Sequence, residues 1–459
     1  MATPATTPQA GAGAARAEAD PGPALCLSGG GFRATLFHLG ALIRLNEMGV
    51  LSRVGVITSV SGGSILNGAL AARWSQLTPD ADGVFTNFSI VADAVRDFCA
   101  RDLRTATLVG TRVNPLNAVR MARSLGAVSA DVLVKPYDQL TLGKRLAELP
   151  AAPRFVFCAT SVQTGACWHF HGGPGGRMGD FYTGYFDTGS TRVSEAVAAS
   201  SAFPPGFAAL SLVPGAPPDR TDPWGRTRAP SPKPGRVAPP GAGERVLLTD
   251  GGVYDNLGVE PVWTRCRTLI VSDAGHPFSA EANVGQSAVP RLMRAADISA
   301  EQVGAVRKRW IIERIQLGGW MNAVAAANGG ALPVVAGAPE VRSGTLWAID
   351  TRPGSYARGL PAAYPDDVLD LIAAVRTDLN AFTPGEQGVL QNHGYWLANA
   401  GITQYAPALA TLPAPPFAWP LPAWDPSSAA LKPALIDSDK RGVLRDVFRW
   451  GRGLFTPGD

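Results

Sequence analysis

Five cysteines in 459 residues, Cys26, Cys99, Cys158, Cys167 and Cys266, are few, odd in number and without a C-x-x-C pair. A disulfide framework or a zinc cluster is therefore not expected, and a reducing compartment is the simpler reading. Charge is scarce too: charged residues are 17% of the chain, 41 basic against 37 acidic, for a net of +4. So small an excess gives no ground for a nucleic-acid partner, and attraction to an anionic surface would need local clustering. No stretch of about 18 apolar residues runs free of charge, Pro or Gly, so no membrane-spanning helix is predicted. The N-terminus, MATPATTPQAGAGAARAEADPGP, lacks the basic and apolar regions of a secretion signal, and residues 1–23 read as a disordered leader. What the chain has in quantity is apolar side chains, 46% of the total, enough for a large core.

Ala24 to Ser28 is a short apolar run closed by Gly29, Gly30 and Gly31, the pattern of a buried strand entering a tight turn. Apolar residues then recur at helical spacing from Phe32 to Leu45. Val54–Ile57 predicts a second strand, followed by Thr58-Ser59-Val60-Ser61-Gly62-Gly63 and a helix over 65–74. Strand, turn, helix, strand, turn, helix predicts a parallel α/β sheet. Residues 82–149 read as a helical insertion without strand pattern. Residues 154–160 and 167–171 are strand candidates, 194–202 a small-residue helix, and 214–243 a Pro/Gly-rich surface loop with no packed element. Strands are expected again at 245–249 and 269–272, with one more candidate at 344–350. Helices are expected over 299–317 and 366–379. The domain plan is a catalytic unit over 24–411, then a Pro-rich stretch and basic tail over 412–459.

Three constellations carry chemistry. Ser61 lies between a strand and a helix with small neighbours, where a sharp turn would expose its hydroxyl at a helix N-terminus. The same residues also suit a plain helix N-cap. Gly29, Gly30 and Gly31 let backbone N–H groups converge on one point, a nest for an oxyanion, with Arg33 beside them to hold the loop or the charge. The loop has neither the G-x-x-x-x-G-K-[ST] nor the G-x-G-x-x-G register of a nucleotide site. Asp250, at the carboxyl end of a predicted strand and followed by Gly251 and Gly252, sits where α/β sheets collect functional groups, although Asp-Gly alone is also a turn former.

A GGG turn, a serine elbow on the next strand and a distant D-G-G, in that order, resemble the patatin-like phospholipase family. Similar stretches include Tyr137–Leu140, Ala159–Ser161, Ala196–Pro205 and Asp250–Glu260, and the likeness runs from about Ala24 to Ala280 with a weaker echo at Arg376–Tyr395. It implies a three-layer α/β sandwich with a mainly parallel central sheet. It also implies a Ser–Asp dyad hydrolysing fatty-acyl esters of phospholipids or related lipids through an acyl-enzyme, with no cofactor and no metal. Ser61 matches the nucleophile and Asp250 the base. Gly29, Gly30, Gly31 and Arg33 match the oxyanion hole, and Gly62, Gly63, Gly251 and Gly252 the supporting turns. Two positions depart from the pattern: Ser28, and Ser59 in place of the elbow's first Gly. An acyltransferase or thioesterase with the same dyad, or a non-catalytic lipid-binding scaffold, would fit the same residues.

Of the five histidines, His38, His169, His171, His276 and His393, only His276 and His393 follow Asp250 as a triad histidine would. Both read better as structural or surface groups, as does His38. His169 and His171 alternate on a strand with no third metal ligand nearby. Residues 439–455 place Arg441, Arg445, Arg449 and Arg452 on one helical face and apolar side chains, Trp450 among them, on the other. Such a segment suits peripheral contact with an anionic membrane or docking on the domain itself, in a protein expected to be cytoplasmic.

Overall fold

The computed structural model describes residues 20–103, 128–204, 206–215, 218–227, 243–278, 280, 281, 284, 285, 287–330, 341–356, 359–410, 415–436 and 438. The tail at 439–455, the leader before residue 20 and the centre of the insertion, 104–127, lie outside them.

In chain order the strands are β1 (Ala24–Leu27), β2 (Val56–Val60), β3 (Val128–Ser129), β4 (Arg154–Ser161), β5 (Cys167–His171), β6 (Arg177–Asp180), β7 (Gly184–Asp187), β8 (Phe207–Ala208), β9 (Leu210–Leu212), β10 (Val246–Asp250), β11 (Thr268–Asp273) and β12 (Ser343–Ala348). The helices that matter here are α1 (Gly31–Glu47), α2 (Gly62–Arg73), α3 (Ser89–Cys99), α4 (Asp131–Leu140), α5 (Val193–Ser200), α6 (Ala288–Ala327), α7 (Asp366–Ala374) and α8 (Pro384–Tyr405). The strand order β12-β11-β1-β2-β4 is parallel throughout, and β5, β6 and β7 extend it as antiparallel hairpins.

Both faces of the parallel part are apolar, as a sheet covered on both sides requires. Leu25, Leu27 and Ile57 point into one core layer, and Ala24, Cys26, Val56 and Val60 into the other. The first layer is roofed by α1, whose residues from Gly31 to Leu42 are buried. It is crossed by α8 at very short range, because a Cβ on Gly40 would overlap the Gln391 carbonyl and one on Gly394 the Phe37 carbonyl. The second layer is covered by α6, through Ile311 and Ile315.

Several boundaries differ from expectation, each for a long-range reason. The helix expected over 299–317 is α6, forty residues long. The helix expected over 366–379 stops at Ala374, and the carbonyls of Thr377 and Asp378 turn back onto the glycine loop, where Asp378 accepts the Phe32 N–H. The insertion is helical at α3 and α4 but also supplies β3, a short strand paired with β8. The Pro/Gly-rich tract contributes a packed element after all. Trp224 is buried between the guanidinium groups of Arg154 and Arg265, at 4.4 and 5.5 Å, and Asp222 pairs with Arg265 at 2.7 Å. A lone tryptophan has no periodicity to read, yet it can anchor a loop by cation–π contact.

Ion pairs to Asp273, Glu260 and Asp255 clamp α6 at the carboxyl edge of the sheet. Lys308 Nζ lies 2.6 Å from Asp273 at the end of β11, and Arg307 bonds Glu260 at 3.0 Å beside the buried Asp255. Burial pushes the Asp273 carboxyl up, but Lys308, with the Gly275 N–H and the Ser28 hydroxyl, brings it below the usual carboxylate range. Lys308→Met would leave that carboxylate buried and unpaired. The expected loss is about 2–3 kcal/mol at pH 7, less than for a sealed pair because Lys308 keeps a third of its surface in solvent. Urea unfolding should show the deficit shrinking as pH falls and Asp273 takes up a proton. A constant deficit from pH 7 to pH 4 would point to lost packing instead.

Candidate active site

The sheet register explains how residues 61 and 250 come together. β2 runs parallel to β4 and ends with Val60 opposite Cys158. β10 runs antiparallel to β4 and ends with Asp250 opposite Ala159, the next residue along. The two strands therefore meet end to end along one flank of β4. Ser61 and Asp250 are carried to the same point.

Ser61 has φ 50° and ψ −117°, a backbone conformation that non-glycine residues rarely adopt and that marks a strained strand-to-helix elbow. Its N–H donates to Ser200 Oγ at 3.0 Å, and α2 begins at the next residue. The crowding at Gly62 and Gly63 is severe. A Cβ on the first would overlap the Gly31 carbonyl, and one on the second the Leu27 carbonyl. Ser59, where the elbow pattern has glycine, is fully buried and satisfied: it accepts from Asn67 Nδ2 at 2.9 Å and lies 2.9 Å from Ser64 Oγ.

Asp250 is 1% exposed. Oδ1 accepts the Gly252 N–H at 2.7 Å, while Oδ2 is buried with no hydrogen bond of full geometry. Burial raises the carboxyl to about 7, and the Gly252 N–H and the Ser61 hydroxyl offset only part of that effect. The Ser61 hydroxyl thus acts on the Asp250 charge without closing a hydrogen bond of full geometry.

The glycine loop supplies donors, but not all three that the sequence suggests. Gly29 N–H donates to the Asn256 carbonyl at 3.0 Å. Gly30 (φ 139°) and Gly31 (φ 57°) have no protein acceptor for their N–H groups among the described residues. Arg33 holds the loop, one of the two roles expected of it. Its guanidinium is fully buried and donates to the carbonyls of Ala274, Ala373 and Val375 at 2.8–3.0 Å, so it fastens the loop to two neighbouring segments rather than facing Ser61. Burial lowers its pKa to about 10.

Asn256 is a site residue that sequence reasoning missed. Its Oδ1 fills the space where a Cβ on Gly29 or Gly252 would stand, so it wedges between the glycine loop and the Asp250 turn. The available signal was its place six residues after Asp250, but an Asn in a Gly-rich turn reads first as a turn former. The histidines stand elsewhere. His38 bonds Ser272 Oγ and the Ser28 carbonyl, His276 bonds Arg33, and His393 bonds the Ile349 carbonyl. His169 and His171 bond each other at 3.0 Å, and burial holds both far below the usual imidazole range. None is hydrogen-bonded to Ser61 or Asp250.

An α/β sheet with a strained serine elbow, free glycine amides and a buried carboxylate at its carboxyl edge defines the class to which the chain compares. The patatin-like phospholipase family model matches residues 25–263, more than half the chain, and the protein belongs to that family. Among solved structures, human GIVD cytosolic phospholipase A2 is similar at 13% identity with a TM-score of 0.43, over 85% of this chain and 59% of that one. VipD from Legionella pneumophila is similar at 12% identity with a TM-score of 0.29, over 83% of this chain and 67% of that one. The chain thus spans less than two thirds of the human protein it resembles. No curated protein matches it at a significant level. Among the described residues no helix is long and apolar enough to cross a membrane.

Proposed function

We propose that this protein hydrolyses fatty-acyl esters of phospholipids or related lipids, as a phospholipase A-type serine esterase working through an acyl-enzyme. Family membership supports the lipid substrate class. The observation that carries the mechanism is the end-to-end meeting of β2 and β10, which sets the Ser61 hydroxyl against a carboxyl whose proton affinity lies near neutrality.

In this reading Ser61 Oγ attacks the ester carbonyl and its proton passes to Asp250. The oxyanion is met by the N–H groups of Gly30 and Gly31, with the positive end of α1 behind them. As the ester C–O bond breaks, Asp250 returns the proton to the departing lipid alcohol. Water then attacks the acyl-enzyme, giving its proton to Asp250. The fatty acid leaves as Ser61 is reprotonated.

The test is labelling with a fluorophosphonate probe together with fatty-acid release from a phospholipid panel. Wild type is expected to label at Ser61, and Ser61→Ala to lose both labelling and release, by about 10³-fold or more. Fatty-acid release that survives Ser61→Ala would overturn the assignment. Acyl transfer to an added lipid alcohol in preference to water would replace hydrolysis with transferase activity at the same residues.

A further inference from the structure

We infer that Ser200 is a positioning residue that sets the separation of Ser61 and Asp250, acting through a buried chain of serine hydroxyls. This rests on the dyad reading above but concerns a residue outside it. Ser200, the last residue of α5, is fully buried and grips both halves of the site. Its Oγ accepts the Ser61 N–H at 3.0 Å, and its carbonyl accepts the Gly251 N–H at 3.2 Å. Thus one residue holds the backbone at the nucleophile and the backbone just after the base. The neighbouring Ala202 carbonyl accepts the Asp250 N–H at 3.1 Å, extending the same grip.

The hydroxyl is itself directed. Ser200 Oγ donates to the Cys158 carbonyl at 2.6 Å, on the strand where β2 and β10 meet. With its own proton committed, it can only accept from Ser61 and from Ser64 Oγ, 2.8 Å away. Ser64 in turn lies 2.9 Å from Ser59 Oγ, and Ser59 accepts from Asn67 Nδ2. Ser59 Oγ also donates to the Val156 carbonyl at 3.2 Å, so the directed part of the chain runs from Ser64 to Ser200 to Cys158. Ser59 is the residue that stands where the elbow pattern has glycine. A strained elbow persists only when its surroundings over-determine it, and here the hydroxyl chain does so.

The experiment measures fluorophosphonate labelling rate against pH, with kcat and KM for phospholipid, in wild type, Ser200→Ala and Ser64→Ala. Ser200→Ala frees the Ser61 N–H, and its kcat and labelling rate are expected to fall about 10- to 100-fold with little change in KM. Its pH midpoint should also rise, because Ser61 draws away from the Asp250 carboxyl. Reintroducing a hydroxyl as Ser200→Thr should restore part of the rate. Fewer folded molecules would lower the amplitude without moving the midpoint, and that result overturns the proposal. So does wild-type behaviour in Ser200→Ala. Should Ser200→Ala fail to fold, Ser64→Ala decides: a fall of about 2- to 10-fold supports the inference and an unchanged rate sinks it. Absence of labelling in wild type would instead refute the dyad reading itself.

Discussion

Asp250→Asn is expected to abolish fatty-acid release while making the protein harder to unfold above pH 7. The two effects have one origin. Burial raises the Asp250 carboxyl to about 7 in the folded state, against about 4 for a solvated aspartate. Between those values the fold binds a proton that the unfolded chain releases, so stability falls as pH rises across that window and levels off above it. At about 1.4 kcal/mol per tenfold change in proton affinity, the ionised carboxylate destabilises the fold by up to about 4 kcal/mol. Asparagine carries no charge at any pH. It can still accept the Gly252 N–H, but it cannot take the Ser61 proton. Turnover should drop by about 10³-fold or more. Melting temperatures should diverge in the mutant's favour at pH 8 and converge near pH 4. Wild-type turnover should rise with pH through about 7 as the base form appears. A mutant that melts below wild type at pH 8 would mean that Asp250 is not a strained base but part of the scaffold.

How much of this could be seen in the chain itself follows from the range of each interaction. β1, its glycine turn and α1 are one contiguous unit, and so are β2, the elbow and α2, so local pattern was enough to find them. Asp250 at the end of an apolar run was legible for the same reason. The antiparallel course of β10 was not, because it is decided by pairing with Ser161, Thr160 and Ala159, some ninety residues upstream. Nor could the loop's donors be sorted in advance. Whether Gly29 or Gly31 keeps a free N–H depends on one distant carbonyl, that of Asn256. Arg33 was placed in the oxyanion hole by its neighbours in sequence, yet a fully buried guanidinium goes where carbonyl oxygens can satisfy it, and three lie at Ala274, Ala373 and Val375. Ser59 shows the converse. It departs from the elbow pattern, and the structure uses its hydroxyl instead of its smallness.

Gly31→Ala is the sharpest probe of the loop, because conformation and space both forbid the methyl. The residue sits at φ 57°, where an L side chain costs roughly 1–2 kcal/mol. Its Cβ would also overlap the Thr377 carbonyl oxygen, which belongs to backbone pinned by the neighbouring Asp378–Phe32 hydrogen bond and cannot swing aside like a side chain. The loop itself must move, carrying away the Gly31 N–H, which has no acceptor among the described residues. A displaced oxyanion donor costs about 10²–10³ in kcat, so that loss is expected even in molecules that remain folded. Gly175→Ala separates the two causes. Gly175 has φ 68° but nothing within 4 Å of its added Cβ, so it carries the backbone penalty alone. It should lose about 1 kcal/mol in urea unfolding and keep wild-type turnover. Gly31→Ala matching Gly175→Ala in both measurements would show that the loop tolerates a methyl and that its amides do not govern the reaction.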